Sequence, residues 1–140
     1  MLNDVKSGIK MKPQIEKFFT SSAYAVVGVS NNRDKFGNKV FRCYLAHNKQ
    51  VYPIHPLEQT IEGVEVLRSI SLLPPGVKSL SMITTPSVTE KLVVEAIKHG
   101  IENIWMQPGA QSDLAIKLCQ DAGINVIADG SCLLVTLGCH

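Results

Sequence analysis

The chain has 140 residues, 45% of them hydrophobic and 19% charged, and a formal net charge of +2. That length suits one domain, which buries about 68% of its unfolded surface and holds a core without staples. Near-neutral charge excludes non-specific nucleic-acid binding, no run approaches the ~18 apolar residues of a membrane span, and residues 1–10 lack the apolar core of a secretory leader, so a cytoplasmic protein with no nucleic-acid or membrane partner is expected.

Residues 1–10 are polar and aperiodic and read as a tail, leaving residues 11–140 as the domain. Pro13 with Ile15, Phe18 and Phe19 predicts a short helix to about Thr20 that lies on the fold as a lid. The apolar run from Tyr24 to Val29 predicts a first strand, which breaks into the polar loop Asn31 to Phe36 before a helix from Gly37 to Asn48 striped by Val40, Phe41, Tyr44 and Leu45. A strand that delivers small residues to a helix N-terminus gathers unpaired N–H groups and the positive end of the helix dipole at one point, where an anion can sit. Gly28 and the small Ser30 let a ligand approach the backbone, and Arg33 and Lys35 supply cations. On the helix, Cys43 reads as a small core residue and His47 as a complement to the dipole.

The spacing narrows the choice of phosphate ligand. A dinucleotide fingerprint places glycines at positions occupied here by Gly28, Ser30 and Arg33, and only the first matches. The second strand, Val51 to Ile54, ends in His55-Pro56 with no acidic residue for a ribose diol, which disfavours NAD and suits a phosphorylated ribose, as in NADP or coenzyme A.

Leu57 to Val64 is too polar for core and reads as a surface excursion, and Glu65 to Leu73 as a short helix stopped by Pro74-Pro75-Gly76. Val77 to Thr84 forms the third strand. After Thr84-Thr85-Pro86, Ser87 and Glu90 make a capping-box pattern at the head of an amphipathic helix ended by Gly100, with His99 complementing its last turn. Asn103 to Met106 is the fourth strand, with Trp105 in the core; Gln107-Pro108-Gly109 is its exit loop, and a helix from Ser112 to Ala122 leads to a fifth strand, Ile124 to Ala128. Cys43, Cys119, Cys132 and Cys139 contain no C-x-x-C pair, so neither a metal site nor a thioredoxin-like centre is expected, and the thiols are expected to be reduced. The alternation predicts an α/β Rossmann-like three-layer sandwich with a five-stranded, mainly parallel sheet, and a crevice where the strand order reverses.

The ordered set Val26-Val27-Gly28-Val29-Ser30 with Lys35 and Gly37, Val51 to Pro56, Ile61-Glu62-Gly63, Glu95-Ala96-Ile97 before Gly100, and Ile104 to Gly109 resembles the small single-domain CoA-binding proteins, over about Met11 to Cys132. These are similar to the nucleotide-binding domain of the succinyl-CoA synthetase α subunit. The resemblance implies that Gly28, Ser30 and the loop through Phe36, Gly37 and Asn38 line a pyrophosphate, with Arg33 or Lys35 near the phosphorylated ribose. It implies that His55, where the family commonly has Asn, and Pro56 border the ligand. Ile83, Thr84, Thr85 and Pro86 would lie along adenine and ribose or the start of pantetheine, and Gln107 and Gly109 would meet the pantetheine arm. Near the end the family often has an Asp-Arg-Cys-like stretch, where this chain reads Asp129-Gly130-Ser131-Cys132. No counterpart of the domain that carries the synthetase's phosphorylated histidine is expected in these 140 residues, and no nucleophile and base are paired in sequence. The expectation is therefore a module that senses, stores or delivers coenzyme A or an acyl-CoA without catalysing a reaction. The alternative is an NAD(P)-binding redox sensor or small oxidoreductase. The apolar run Leu133 to Leu137 suggests a homodimer.

Overall fold

The computed structural model describes residues 11–139; the expected tail and His140 lie outside them. In chain order the elements are α1 (Pro13–Phe18), β1 (Ala23–Val27), α2 (Phe36–Ala46), β2 (Val51–Ile54), β3 (Thr60–Ile61), β4 (Val64–Glu65), a 3-10 turn (Ile70–Leu72), β5 (Val77–Met82), α3 (Pro86–His99), β6 (Asn103–Met106), α4 (Asp113–Asp121), β7 (Asn125–Ile127) and α5 (Leu133–Thr136). Five strands pair in the order β2-β1-β5-β6-β7, and all four pairings are parallel. This is the expected α/β Rossmann-like sheet.

Successive strand residues alternate between two cores, which explains why the strands are mostly apolar on both faces. From β1, Ala23, Ala25 and Val27 join Val93 and Ala96 of α3 and Ala115 and Cys119 of α4. Tyr24 and Val26 face the other way, into Ile15 and Phe18 of α1, Phe41 and Tyr44 of α2 and Leu133 of α5. Trp105 lies fully buried on that second side, edge-on to Phe18 with ring centroids 5.3 Å apart. Burial raises the Tyr24 hydroxyl to a pKa of about 12, and raises Tyr44 further, although Tyr44 shares a 2.7 Å hydrogen bond with Ser81.

A polar ladder runs through this face. The Asn103 amide donates to Ser79 Oγ (3.1 Å), and the Asn125 amide donates to Asn103 Oδ1 (3.0 Å). The ends of the ladder hold α1, through Ser79 Oγ donating to the Phe18 carbonyl (2.7 Å) and Asn125 donating to the Gln14 carbonyl (2.9 Å). The polar side chains of this ladder are tolerated in the sheet because each finds a partner.

The structure corrects several expectations. Residues 65–73 form no α-helix: Leu67 bridges to Ile54 of β2, and only Ile70–Leu72 coil into a 3-10 turn. The excursion after β2 contains the β3–β4 hairpin, closed by Glu62 (φ 50°) and Gly63 (φ 77°), and it buries Ile61 completely. No capping box forms at Ser87. The helix starts at Pro86 with Thr85 as an N-cap that makes no side-chain bond, and Glu90 instead accepts from Ser112 Oγ across to α4 (2.5 Å). Gly100 caps α3 in the left-handed conformation as expected (φ 91°). Cys43 and Cys139 are joined in a disulfide, where reduced thiols were expected; Cys119 and Cys132 are free. In the Leu133 to Leu137 run, Leu133 enters the core and only Val135 is exposed, which removes most of the apolar surface on which a homodimer was suggested.

Candidate functional site

From β1 the chain crosses through α2 on one face to β2, and from β5 it crosses through α3 on the other face to β6. The segments leaving the neighbouring strands β1 and β5 therefore diverge, which opens a crevice at their carboxyl ends. A cleft of about 480 Å³ lies there, bordered by Gly28, His55 and Pro56, Thr84, and the α3 residues Val88 and Leu92. Its apolar walls also include Ile54 and Ile70, and Arg68, Ser69 and Glu95 border it.

Gly28 has a more demanding role than allowing a ligand to approach. The ladder between β1 and β5 runs up to it, with Ile83 N–H donating to the Val27 carbonyl at 2.9 Å. A Cβ on Gly28 would overlap the Ile83 carbonyl oxygen and stand 2.6 Å from its carbon, and the residue has φ +95°. A Cβ on Gly37 would in turn collide with the Gly28 carbonyl oxygen, 3.0 Å from the carbon. The backbones of α2, β1 and β5 are thus stacked without side chains between them, so that the first turn of α2 presses against a residue that lines the cleft.

The loop between Gly28 and Gly37 is shaped by its own polar side chains. Ser30 Oγ accepts from Asn32 N–H (3.0 Å), and Asn32 Oδ1 accepts from Asp34 N–H (3.0 Å). Asn38, fully buried, donates to the Ser30 carbonyl (2.8 Å) and to Glu62 (3.2 Å), and accepts from Arg42 Nε (2.7 Å). Arg33 pairs with Glu62 at 3.3 Å. Asn31 donates to Glu58 (2.9 Å) and to the Thr60 carbonyl (3.0 Å). The β3–β4 hairpin therefore fastens the loop and occupies one of its two cations. Lys35, the N-cap of α2, is exposed and has no acidic partner among the described residues. It makes no side-chain cap, so the first amides of α2 stay free to meet an anion.

At β2, His55 Nδ1 accepts from the backbone N–H groups of Leu57 (3.0 Å) and Glu58 (3.1 Å). Serving as acceptor at Nδ1 places the imidazole hydrogen on Nε2, and the ring performs the turn-capping task of an asparagine carbonyl. Arg68 donates to the Pro56 and Glu58 carbonyls (3.0 and 3.3 Å), bracing the same turn.

Of the residues proposed from sequence, Gly28, His55, Pro56 and Thr84 come together around the cleft. Ser30, Phe36, Gly37 and Asn38 build the adjoining α2 entrance, and Thr85 and Pro86 start α3. Thr84 shares a 2.6 Å hydroxyl hydrogen bond with Thr89, and Ile83 packs on the α2 side of the sheet. Gln107 lies elsewhere. It is fully buried, its Oε1 accepts from Leu133 N–H (3.0 Å), and its Nε2 has no partner among the described residues. Gly109, exposed at the same strand end, donates its N–H to Gln111 (2.9 Å). Sequence reasoning missed Arg68 and Ser69, which fell in the supposed helix, and also Val88, Leu92 and Glu95. Val88 and Leu92 counted toward the amphipathic pattern of that helix, and Glu95 toward the family resemblance, without showing which side of α3 bordered the cleft.

The family described as a CoA binding domain matches residues 22–137. The chain is 24% identical over 91 residues to the α subunit of an ADP-forming acetate–CoA ligase II from Pyrococcus furiosus, covering 64% of this chain and 20% of that protein. It therefore spans about a fifth of that curated relative. A conserved hypothetical protein from Pyrococcus furiosus superposes with a TM-score of 0.78 at 32% identity, covering 81% of this chain and 97% of that one. A dinucleotide-forming acetyl-coenzyme A synthetase 1 from Ca. Korarchaeum cryptofilum, solved with phosphate and ADP, superposes at a TM-score of 0.73 over 92% of this chain and 28% of that one. At 21% identity, this last likeness speaks for the fold alone. With the family match spanning the sheet from before β1 to the end of α5, the chain belongs to the CoA binding domain family.

Proposed function

We propose that this protein binds coenzyme A or an acyl-CoA at the carboxyl ends of β2, β1 and β5, as a module that senses, stores or delivers the ligand without transforming it. The observation that carries this reading is the cleft beside an uncapped α2 N-terminus, in a chain of the CoA binding domain family. The residues fit the two halves of such a ligand. The free α2 amides and Lys35 suit the phosphates, and Ile54, Pro56, Val88 and Leu92 suit the less polar portions. Lys35 is a better partner for the ribose phosphate than Arg33, whose guanidinium is already held by Glu62. The non-catalytic part of the reading rests on His55, whose Nδ1 is committed to two backbone N–H groups and so is not available there as a base.

Thermal unfolding with added ligands tests the reading. CoA at 100 times its dissociation constant adds about 2.7 kcal/mol, a shift of several degrees, and is expected to exceed the effect of NAD at equal concentration. Dephospho-CoA is expected to bind about tenfold or more weakly, from loss of a charge-assisted contact, and Lys35→Ala to abolish most of that difference. An equal or larger shift with NAD overturns the proposal and favours the nicotinamide-nucleotide reading. Steady release of free CoA from acyl-CoA would overturn the non-catalytic part.

A further inference from the structure

Cys43 and His47 stand one turn apart on α2, and the C-terminal segment brings Cys139 to the same place. The donor atoms of all three residues lie within 4.8 Å of one another, and the Cα atoms of the two cysteines are 5.8 Å apart across 96 residues of sequence. Cys43 is buried, Cys139 is half-buried and His47 is exposed at the C-cap of α2. In a tetrahedral zinc site, with bonds of ~2.3 Å to sulfur and ~2.0–2.1 Å to nitrogen, neighbouring donors are separated by roughly 3.3–3.8 Å. The cluster reaches that spacing by small movements once the S–S bond is opened. Cys43 and His47 are held on the helix at the i, i+4 spacing that puts two side chains on one face, while Cys139 lies outside any helix, beyond α5. The site also lies at the C-terminal end of α2, where the helix dipole favours a cation.

We propose that Cys43, His47 and Cys139 form, in the reduced protein, a binding site for one divalent cation of the zinc class, and that the disulfide is the oxidised, metal-free state of the same site. Two thiolates and an imidazole are a soft-to-borderline donor set that selects zinc-like ions over magnesium or calcium, with water in the fourth position. The chemistry balances. A thiol or phosphine reductant supplies two electrons, and with two protons the S–S bond becomes two thiols. The cation then displaces those two protons and takes a lone pair from neutral His47. A small-molecule disulfide takes the two electrons back, its own S–S bond breaking to two thiolates as the Cys43–Cys139 bond forms and the cation leaves. In both states one crosslink fastens the C-terminal segment to α2. The site lies ~16 Å along α2 from the loop proposed to meet phosphate, so its test is independent of coenzyme A binding.

The test is cobalt titration of the full chain after reduction with a phosphine, which is not itself a thiol ligand. One cobalt per chain is expected, with a thiolate-to-cobalt charge-transfer band and tetrahedral visible bands; zinc should bleach both, and oxidised glutathione should release the metal. The untreated disulfide form should show neither band. Cys139→Ser, near the chain end, should abolish the charge-transfer band while far-ultraviolet circular dichroism stays unchanged, and His47→Ala should weaken cobalt binding about tenfold or more. Reduced protein without a charge-transfer band overturns the proposal. So does a band that survives Cys139→Ser, which would assign the metal to Cys119 or Cys132, or an affinity indifferent to His47→Ala.

Discussion

Two exit loops of the same sheet, the one after β1 and the one after β6, look alike in sequence and behave differently. Each follows an apolar parallel strand, contains a glycine at nearly the same positive φ (Gly28 at +95°, Gly109 at +97°), and leads to a helix. The first opens on the cleft. The second is closed: Gln107 points inward to hold Leu133 at the start of α5, and Trp105 Nε1–H donates to the Ser131 carbonyl at 2.9 Å. The reason is topological. The crossovers leaving β1 and β5 go to opposite faces, whereas those leaving β5 and β6 run through α3 and α4 on one face, so the chain does not diverge there. A position at a strand's carboxyl end is therefore insufficient to make a site; the reversal of strand order has to be there too.

The largest effect should come from exchanging the two glycines for alanine. Gly109→Ala meets nothing within 4 Å, so it should cost only the strain of a left-handed alanine, about 1–2 kcal/mol. Gly28→Ala carries the same strain and also drives a methyl into the Ile83 carbonyl, so it should cost at least ~3 kcal/mol and open the β1–β5 ends. Urea unfolding followed by circular dichroism measures both. Equal losses would mean that the β1 end is no more tightly stacked than the β6 end, and would break the comparison.

A smaller effect is expected on the closed side. Gln107→Leu deprives the Leu133 N–H of its acceptor but also removes a buried amide nitrogen that has no partner among the described residues. The two changes oppose each other, leaving a net loss of about 1–2 kcal/mol. Affinity for CoA should stay within about twofold of the parent, by calorimetric titration. A tenfold loss would show that the ligand reaches the β6 loop, and would restore Gln107 to the site.

How much of this was legible beforehand depends on whether the signal was local. The strands at Val51–Ile54 and Asn103–Met106 have the bounds read from sequence, because each is a short apolar run between turn residues. Residues 65–73 misled because Val66, Leu67, Ile70 and Leu73 copy a helical spacing. Their partners are in fact distant: Leu67 N–H donates to the Pro53 carbonyl (2.9 Å), and the Leu67 carbonyl accepts from His55 N–H (3.0 Å). The same holds for the candidate site. Gly28, His55 and Thr84 were legible as strand ends, whereas the Arg33–Glu62 pair and the Cys43–Cys139 bond depend on chain segments that no local pattern joins. Gly28 was legible as a special residue, but its reason was not: the atom that excludes a side chain belongs to Ile83, 55 positions away by the numbering.

The smallest effect concerns the ion pair at the rim of the closed region. Lys12 Nζ lies 2.6 Å from Asp129, whose other oxygen accepts from Ser131 N–H at 3.0 Å. The Lys12 hydrogen bond, with that of Ser131, holds the Asp129 carboxyl well below the ordinary carboxylate range. A carboxyl depressed in the folded state stabilises above its unfolded pKa of about 3.9, and that contribution is lost as pH falls toward the folded value. Both side chains are about half exposed, at 57% and 46%, so solvent screens most of the gain. Asp129→Asn should therefore cost less than ~1 kcal/mol at pH 7, and less still in 0.5 M salt. The gap between parent and variant should narrow steadily below about pH 4, in denaturation curves recorded from pH 7 downward. A gap above ~2 kcal/mol, or one that widens on acidification, would mean that this ion pair closes the β6 and β7 ends. The expected result leaves that task to the part-buried Trp105–Ser131 and the buried Gln107–Leu133 hydrogen bonds, which carry no charge to titrate.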